Sequence, residues 1–114
     1  SKETPGGPLP SPGMLSRHYA PSAPLYLIRE DDARSVAHLP EPRGLITHQA
    51  LPSVAALCQH VEVLPSAPDA YAVDLYAALH RLDDKQVRSI VVLRPNQDND
   101  WRAVIDRLDR AAIG

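Results

Sequence analysis

The sequence predicts an α/β fold, a parallel sheet of about four strands with helices on both faces, preceded by an extended segment. Short apolar runs alternate along the chain with segments whose apolar residues recur at helical spacing, in the order β-α-β-α-β-α-β-α. Right-handed crossovers between strands in this order favour a parallel sheet. Residues 1–22 hold closely spaced prolines and glycines and show no such period. They therefore predict an extended leader ahead of one domain over residues 23–114.

The first half of the domain predicts short elements. In order, they are a strand over residues 25–28, a helix from Glu30 to about His38, a strand over 45–48, a helix from Ser53 to His60 and a strand over 61–64. Acidic residues in the first turn favour the positive end of the first helix, and Pro40 and Pro42 end it. Pro52 opens the second helix, which would contain Cys58.

The second half predicts longer elements. A helix from about Asp69 to Asp83 follows from apolar residues that share one helical face. These residues are Tyr71, Leu75, Ala78, Leu79 and Leu82. Residues 89–93 form a continuous apolar run that Pro95 ends, the pattern of a strand covered on both faces. Asp98 or Asn99 caps the final helix, which turns its own apolar face, including Trp101, towards the sheet.

Composition bounds the class of protein. With 114 residues the chain has room for one domain, and a net charge of −2 argues against a strongly basic nucleic-acid surface. No apolar run is long enough to span a bilayer, and nothing at the start resembles a signal peptide. The single cysteine, Cys58, cannot form an internal disulfide, and we expect a buried, inert thiol. We expect a cytoplasmic protein with no direct contact to membrane or nucleic acid.

No pattern in the domain predicts a metal or nucleotide site. The five histidines have neither the spacing of a helical pair nor that of a zinc finger. None of the five glycines lies between residues 45 and 113, so no strand-to-helix turn there offers the close backbone approach that a phosphate cradle needs. Ser53 and Cys58 have no neighbouring base that would make either a nucleophile. We therefore expect no catalytic residue, metal or cofactor in this chain.

The leader carries the densest set of functional side chains. Arg17, His18 and Tyr19 stand side by side, just before Pro21, in a segment that cannot form a core of its own. Such a segment has little structural reason to carry these residues unless it lies across another surface. The alternative is a local role, in which His18 and Tyr19 pack back on the domain that follows.

These residues resemble those of a known family. Ser11-Pro12-Gly13-Met14, followed by His18-Tyr19-Ala20-Pro21, resembles the interdomain linker of the two-domain threonylcarbamoyl-AMP synthases, the long relatives of the YrdC proteins. The similarity continues through residues 71–79 and 101–112. It implies that residues 1–22 are the linker and residues 23–114 the C-terminal accessory domain, which in that family has a Rossmann-like fold.

The resemblance also implies a function. That family makes L-threonylcarbamoyladenylate from threonine, bicarbonate and ATP for the modification of adenosine-37 in tRNA. Its substrate pocket, with ATP and Mg²⁺, lies in a YrdC-type catalytic domain that this chain does not contain. By similarity, Arg17, His18, Tyr19 and Pro21 would cover that pocket and contact its small-molecule substrates. We expect this chain to be inactive alone, a piece of a longer nucleotidyltransferase.

Two other functions stay open from the sequence. The domain could be a self-contained regulatory module that binds a small ligand at the carboxyl ends of its strands. That function predicts a defined pocket on which polar groups converge. It could also mediate dimerisation, which predicts a large exposed apolar patch, for example around Tyr76 or Trp101.

Overall fold

The computed structural model describes residues 20–112. Its four strands are β1 (Leu25–Ile28), β2 (Arg43–Thr47), β3 (His60–Val63) and β4 (Ser89–Leu93). Its helices are α1 (Ala33–Val36), α2 (Pro52–Ala55), α3 (Pro68–Asp84) and α4 (Arg102–Ala111). Single 3₁₀ turns, Glu30–Asp32 and Asn99–Trp101, precede α1 and α4. The order of elements predicted from the sequence is confirmed.

All four strands are parallel and form one sheet in the order β1-β4-β2-β3. In this order β4 lies between β1 and β2, with Ile90 beside both Leu25 and Gly44. Every residue of β4 is buried, as its continuous apolar run predicts. After α4 the chain returns to the edge of the sheet, where Ala112 forms a parallel bridge to Leu25.

Helices cover both faces of the sheet. Successive residues of a strand point to opposite faces, so each strand contributes side chains to a core on either side. Ile46, on one face, belongs to the larger core with α3 and α4. Leu45, on the other, packs in a smaller cluster with Val36 of α1 and Val54 of α2. The prediction of an α/β fold with helices on both faces is therefore confirmed. In the described part of the chain, no helix is long and apolar enough to cross a membrane.

The two helices of the smaller core are shorter than the sequence predicts. The helix expected from Glu30 to about His38 is a 3₁₀ turn followed by α1. The helix expected from Ser53 to His60 ends at Ala55, so Cys58 lies beyond it, in the connection to β3. Cys58 is half-buried, and burial raises the pKa of its thiol, which agrees with an inert role.

Arg43, the first residue of β2, explains where these helices end. The residue is only 7% exposed, and its guanidinium donates to the carbonyl oxygens of Ala37 (2.8 Å), Leu39 (3.0 Å) and Leu57 (2.6 Å). Glu41 accepts a further hydrogen bond at 3.2 Å. These carbonyls follow α1 and α2, where helical partners run out and the helix dipole is negative. One buried cation therefore terminates both helices.

Further hydrogen bonds join residues near Arg43 at the amino edge of the sheet, which is the end where the strands begin. Ser89 Oγ donates to the carbonyl oxygen of Pro40 at 2.7 Å, and the backbone N–H of Arg88 donates to that of Pro42 at 2.8 Å. The backbone N–H of Arg43 donates to Gln59 Oε1 at 2.7 Å. The amino edge is thus tied together by side chains as well as by strand pairing.

Helix α3 ends in a Schellman motif. Gln86 adopts a positive φ of 58°, and its N–H donates to the carbonyl oxygen of Asp83 at 2.9 Å. The N–H of Val87 donates to the carbonyl oxygen of Leu82 at 3.4 Å, and the side chains of Val87 and Leu82 are both buried in the larger core. This reversal aims the chain from α3 into β4.

Gly44 in β2 lets α3 lie close to the sheet. A Cβ atom built on Gly44 would lie 2.8 Å from Cδ2 and 2.9 Å from Cδ1 of Leu82. Leu82 is fully buried, so its side chain has little room to move away. The glycine is therefore needed for packing rather than for a turn.

We predict that Gly44→Ala lowers the free energy of unfolding by about 1–3 kcal/mol, because the new methyl group overpacks the core against Leu82. Urea denaturation followed by circular dichroism measures this change. In a Leu82→Ala background the same substitution should cost much less, since the clash is gone. An equal cost in both backgrounds would contradict the packing explanation.

We predict that Arg43→Met lowers the free energy of unfolding by about 2–4 kcal/mol, because buried carbonyl groups lose charged donors. The same denaturation experiment tests this. Arg88→Met, at an exposed position next to β4, is the matched control and should change stability little. Equal effects of the two substitutions would show that Arg43 is not the tie we describe.

Candidate functional site

The structure describes one of the four linker residues predicted to form a site, Pro21. Arg17, His18 and Tyr19 lie outside the described residues. Pro21 is half-buried, and the next residue is held by α3, since the N–H of Ser22 donates to both carboxylate oxygens of Asp83 at 3.2 and 3.4 Å. From this point the chain is fixed to the domain.

The linker joins the domain at the amino edge of the sheet. Asp83 lies in the last turn of α3, Ala23 is buried in the larger core, and Pro24 accepts a hydrogen bond from the N–H of Ile90 at 2.9 Å. Since a strand rises about 3.3 Å per residue, the carboxyl edge lies about 13–17 Å away at the other end of the strands. Ser22 and the carboxyl edge therefore lie at opposite ends of the strands.

An open cleft of about 530 Å³ lies at the carboxyl edge. Its walls are the loops that follow β1 (residues 29–31) and β2 (48–49), and the end of β4 with the loop that follows it (93–97). The position follows from the topology. After β2 the chain passes through α2 to β3 on one face, and after β4 it passes through α4 towards β1 on the other face. In parallel sheets such a switch point opens a crevice between neighbouring strands.

Polar contacts hold the walls of the cleft in place. Arg94 makes a two-pronged ion pair with Asp109 of α4, at 3.1 and 3.3 Å. The Gln49 amide donates to the carboxylate of Glu30, which joins the loops after β1 and β2. Thr47 Oγ1 donates to the carbonyl oxygen of Gln49 at 2.6 Å and so fixes the turn after β2. Contacts within the chain therefore hold the loops that line the cleft in place.

An aromatic cluster lies beside the cleft. The ring of His48, a lining residue, lies 5.4 Å from that of Trp101 and 6.2 Å from that of Tyr71. The Tyr71 and Trp101 rings meet edge to face at 5.1 Å, and Trp101 is only 4% exposed. Tyr71 and Trp101 are core aromatics, as the sequence predicts.

Burial sets the ionisation of this cluster. Desolvation lowers the pKa of His48, and the carboxylate of Glu30 opposes that shift only in part. Burial also raises the pKa of the Tyr71 hydroxyl. Within the described residues, neither His48 Nδ1 nor Tyr71 Oη has a hydrogen-bond partner, so ring contacts hold these side chains. At neutral pH both are therefore uncharged.

None of these lining residues is predicted from the sequence to be a binding residue. His48 and Gln49 directly follow β2, Arg29 follows β1, and Arg94 follows β4. Polar residues immediately after apolar strands are the signal that could have found the cleft, because those ends meet at one edge of a parallel sheet. The strand order, which decides that β1, β2 and β4 meet there, is not visible in that signal.

Dimerisation, one of the functions that the sequence leaves open, finds less support in the geometry. Trp101 is buried, so it offers no exposed patch for a dimer, and Tyr76 is half-buried against the ring of His80. Val63 of β3 is exposed at 65%. Among residues 20–112, no three His, Cys, Asp or Glu side chains are grouped closely enough to hold a metal ion.

Fold and site together define a small, doubly wound α/β domain with Ser22 held at the amino edge and an open polar cleft at the carboxyl edge. The chain matches the family described as threonylcarbamoyl-AMP synthase, C-terminal domain, over residues 1–113, and it belongs to that family. The match includes the proline-rich leader as well as the domain. No curated protein and no solved structure matches the chain significantly.

We predict that acid destabilises the domain through His48. Its folded-state pKa lies below the ordinary value of 6.5, so the unfolded chain binds a proton that the folded one resists. The contribution of neutral His48 to the free energy of unfolding is fully present above pH 6.5. It is lost as the pH falls from 6.5 towards the folded-state pKa. Urea denaturation at about pH 5.5 and about pH 7.5 should therefore show lower stability in acid.

His48→Phe, which keeps a ring but cannot be protonated, should reduce that difference between the two pH values. His38→Phe, at an exposed position after α1, is the matched control and should leave it unchanged. A pH dependence that is the same in all three proteins would exclude His48 as its source.

Proposed function

We propose that this chain is the linker and accessory domain of an enzyme that makes L-threonylcarbamoyladenylate from threonine, bicarbonate and ATP, for the modification of adenosine-37 in tRNA. Membership of the threonylcarbamoyl-AMP synthase C-terminal family over residues 1–113 supports this proposal. The chain is not catalytic alone. ATP and Mg²⁺ belong to a YrdC-type catalytic domain, which is its partner.

The linker is the part that acts on the reaction. Arg17, His18, Tyr19 and Pro21 cover the mouth of the catalytic pocket. A carbamate and a mixed anhydride both hydrolyse, so a cover that excludes water protects the intermediates and the product. The accessory domain anchors and aims this cover.

The observation that carries the proposal is the anchor between Ser22 and Asp83. A chain spans at most about 3.3–3.6 Å per residue, so Tyr19 can lie no further than about 11 Å from Ser22. The mouth of the catalytic pocket must then lie beside the amino edge of the accessory domain, where Ser22 is held. Without this attachment the position of Tyr19 would be unrestricted, whereas attachment at Ser22 keeps Tyr19 within about 11 Å of that residue.

We predict that mixing this chain with a YrdC-type domain stimulates threonine-dependent release of pyrophosphate from ATP, whereas the chain alone releases none. Tyr19→Ala should abolish most of the stimulation, because the cover loses its largest side chain. His38→Ala, an exposed histidine of the domain, is the control and should keep it. Pyrophosphate release by the chain alone would refute the non-catalytic role.

A second pair of variants tests the anchor. Asp83→Ala removes the acceptor for the N–H of Ser22, whereas Asp84→Ala removes a neighbouring exposed carboxylate. Stimulation should fall in the first variant and persist in the second. Tight association of the two pieces without any stimulation would favour a purely structural role for the domain.

A further inference from the structure

We infer that the cleft at the carboxyl edge binds a small zwitterion, a free amino acid with a neutral polar side chain. The proposed function places no ligand in this domain, and the inference does not rest on it. The cleft volume of about 530 Å³ is within the range of small-molecule sites, roughly 300–1,000 Å³. Its place at the switch point between β2 and β4 is where parallel sheets bind ligands.

The charges of the cleft decide the class of ligand. Arg29 and Asp31 stand on the single loop that follows β1, and both line the cleft. Among the described residues, neither side chain makes a hydrogen bond or an ion pair. By contrast, Arg94 is neutralised by Asp109, and Glu30 accepts from Gln49. Arg29 and Asp31 therefore face the cleft as an unpaired cation and an unpaired anion, and Glu30 keeps its negative charge because its partner Gln49 is neutral.

A zwitterion matches both charges at once. Its carboxylate can form the paired hydrogen bonds that a guanidinium such as that of Arg29 favours. Its ammonium group can donate to the carboxylates of Asp31 and Glu30. A ligand with only one of the two charges would pair with one side chain of this loop and leave the other to water, so it would form fewer charge-assisted hydrogen bonds.

Phosphate-bearing ligands fit the same walls poorly. Glu30 and Asp31 would repel them, and Arg94 already spends its charge on Asp109. No lining residue is a glycine, so the backbone offers no close cradle for a phosphate group. The cleft therefore favours a zwitterion over a nucleotide.

The loop that follows β4 contributes the polar groups that select the side chain of the amino acid. Asn96 and Gln97 present amides that both donate and accept hydrogen bonds. Burial keeps the neighbouring His48 neutral, so this part of the cleft adds no further charge. Hydroxyl and amide side chains, as in serine, threonine and glutamine, suit such a wall better than charged or large apolar ones.

Titration of the 114-residue chain with L-threonine, followed by ¹⁵N–¹H correlation NMR, tests the inference. We expect saturable shifts confined to the loops at residues 29–31, 48–49 and 93–97. N-acetyl-L-threonine, which lacks the ammonium group, and L-threonine methyl ester, which lacks the carboxylate, should bind at least about tenfold more weakly. L-Serine and L-glutamine test the tolerance for other polar side chains.

Matched variants assign the charges. Arg29→Gln and Asp31→Asn should each weaken L-threonine binding by about tenfold or more. Arg88→Gln and Asp84→Asn, exposed and near the amino edge, should leave it unchanged. The inference is overturned if L-threonine, L-serine and L-glutamine produce no shifts at millimolar concentration, if AMP binds in their place, or if both blocked derivatives bind as well as L-threonine. No catalytic domain is present in this titration, so its failure would leave the proposed function untouched.

Discussion

The buried guanidinium of Arg43 is the interaction on which the rest of this small domain depends. Helices α1 and α2 are each four residues long, and helices of that length do not persist without tertiary support. Their final carbonyl groups need donors, and Arg43 supplies them from within the sheet. The arginine in turn needs these acceptors, because a buried cation without partners is strongly unfavourable. Neither the short helices nor the buried charge is stable alone.

This arrangement gives the two edges of the sheet different roles. At the amino edge, Arg43, Ser89 and Asp83 bind neighbouring backbone groups and fix both the helix ends and the end of the linker. At the carboxyl edge, loops diverge to opposite faces and leave a cleft with charges of both signs. In the proposed function the cover is held at the amino edge, which leaves the cleft at the carboxyl edge open to a ligand. A ligand bound in the cleft would affect the amino edge only through the strands and helices that connect the two edges.

The sequence is a good guide to this protein where burial is regular. Strand β4 is bounded by the residues that its apolar run predicts, and α3 differs from the predicted helix by one residue at each end. The linker motif alone indicates the family, and the match over residues 1–113 bears this out. The polar residues in the loops after the strands, such as His48, indicate the edge where a cleft can form, but they do not show which strands are neighbours. Only the strand order brings three such loops together.

By itself, then, the sequence determined the fold class, the order of the elements and the family, because these depend on short-range periodicity and on a contiguous motif. The tertiary structure alone decided where α1 and α2 end, that β4 lies between β1 and β2, and that Arg29 and Asp31 share a cleft with His48. The physical reason is the distance along the sequence over which each kind of interaction acts. Periodicity records which face of a segment is buried, but a hydrogen bond from Arg43 to Leu57 or a switch in strand order joins residues that no local pattern connects.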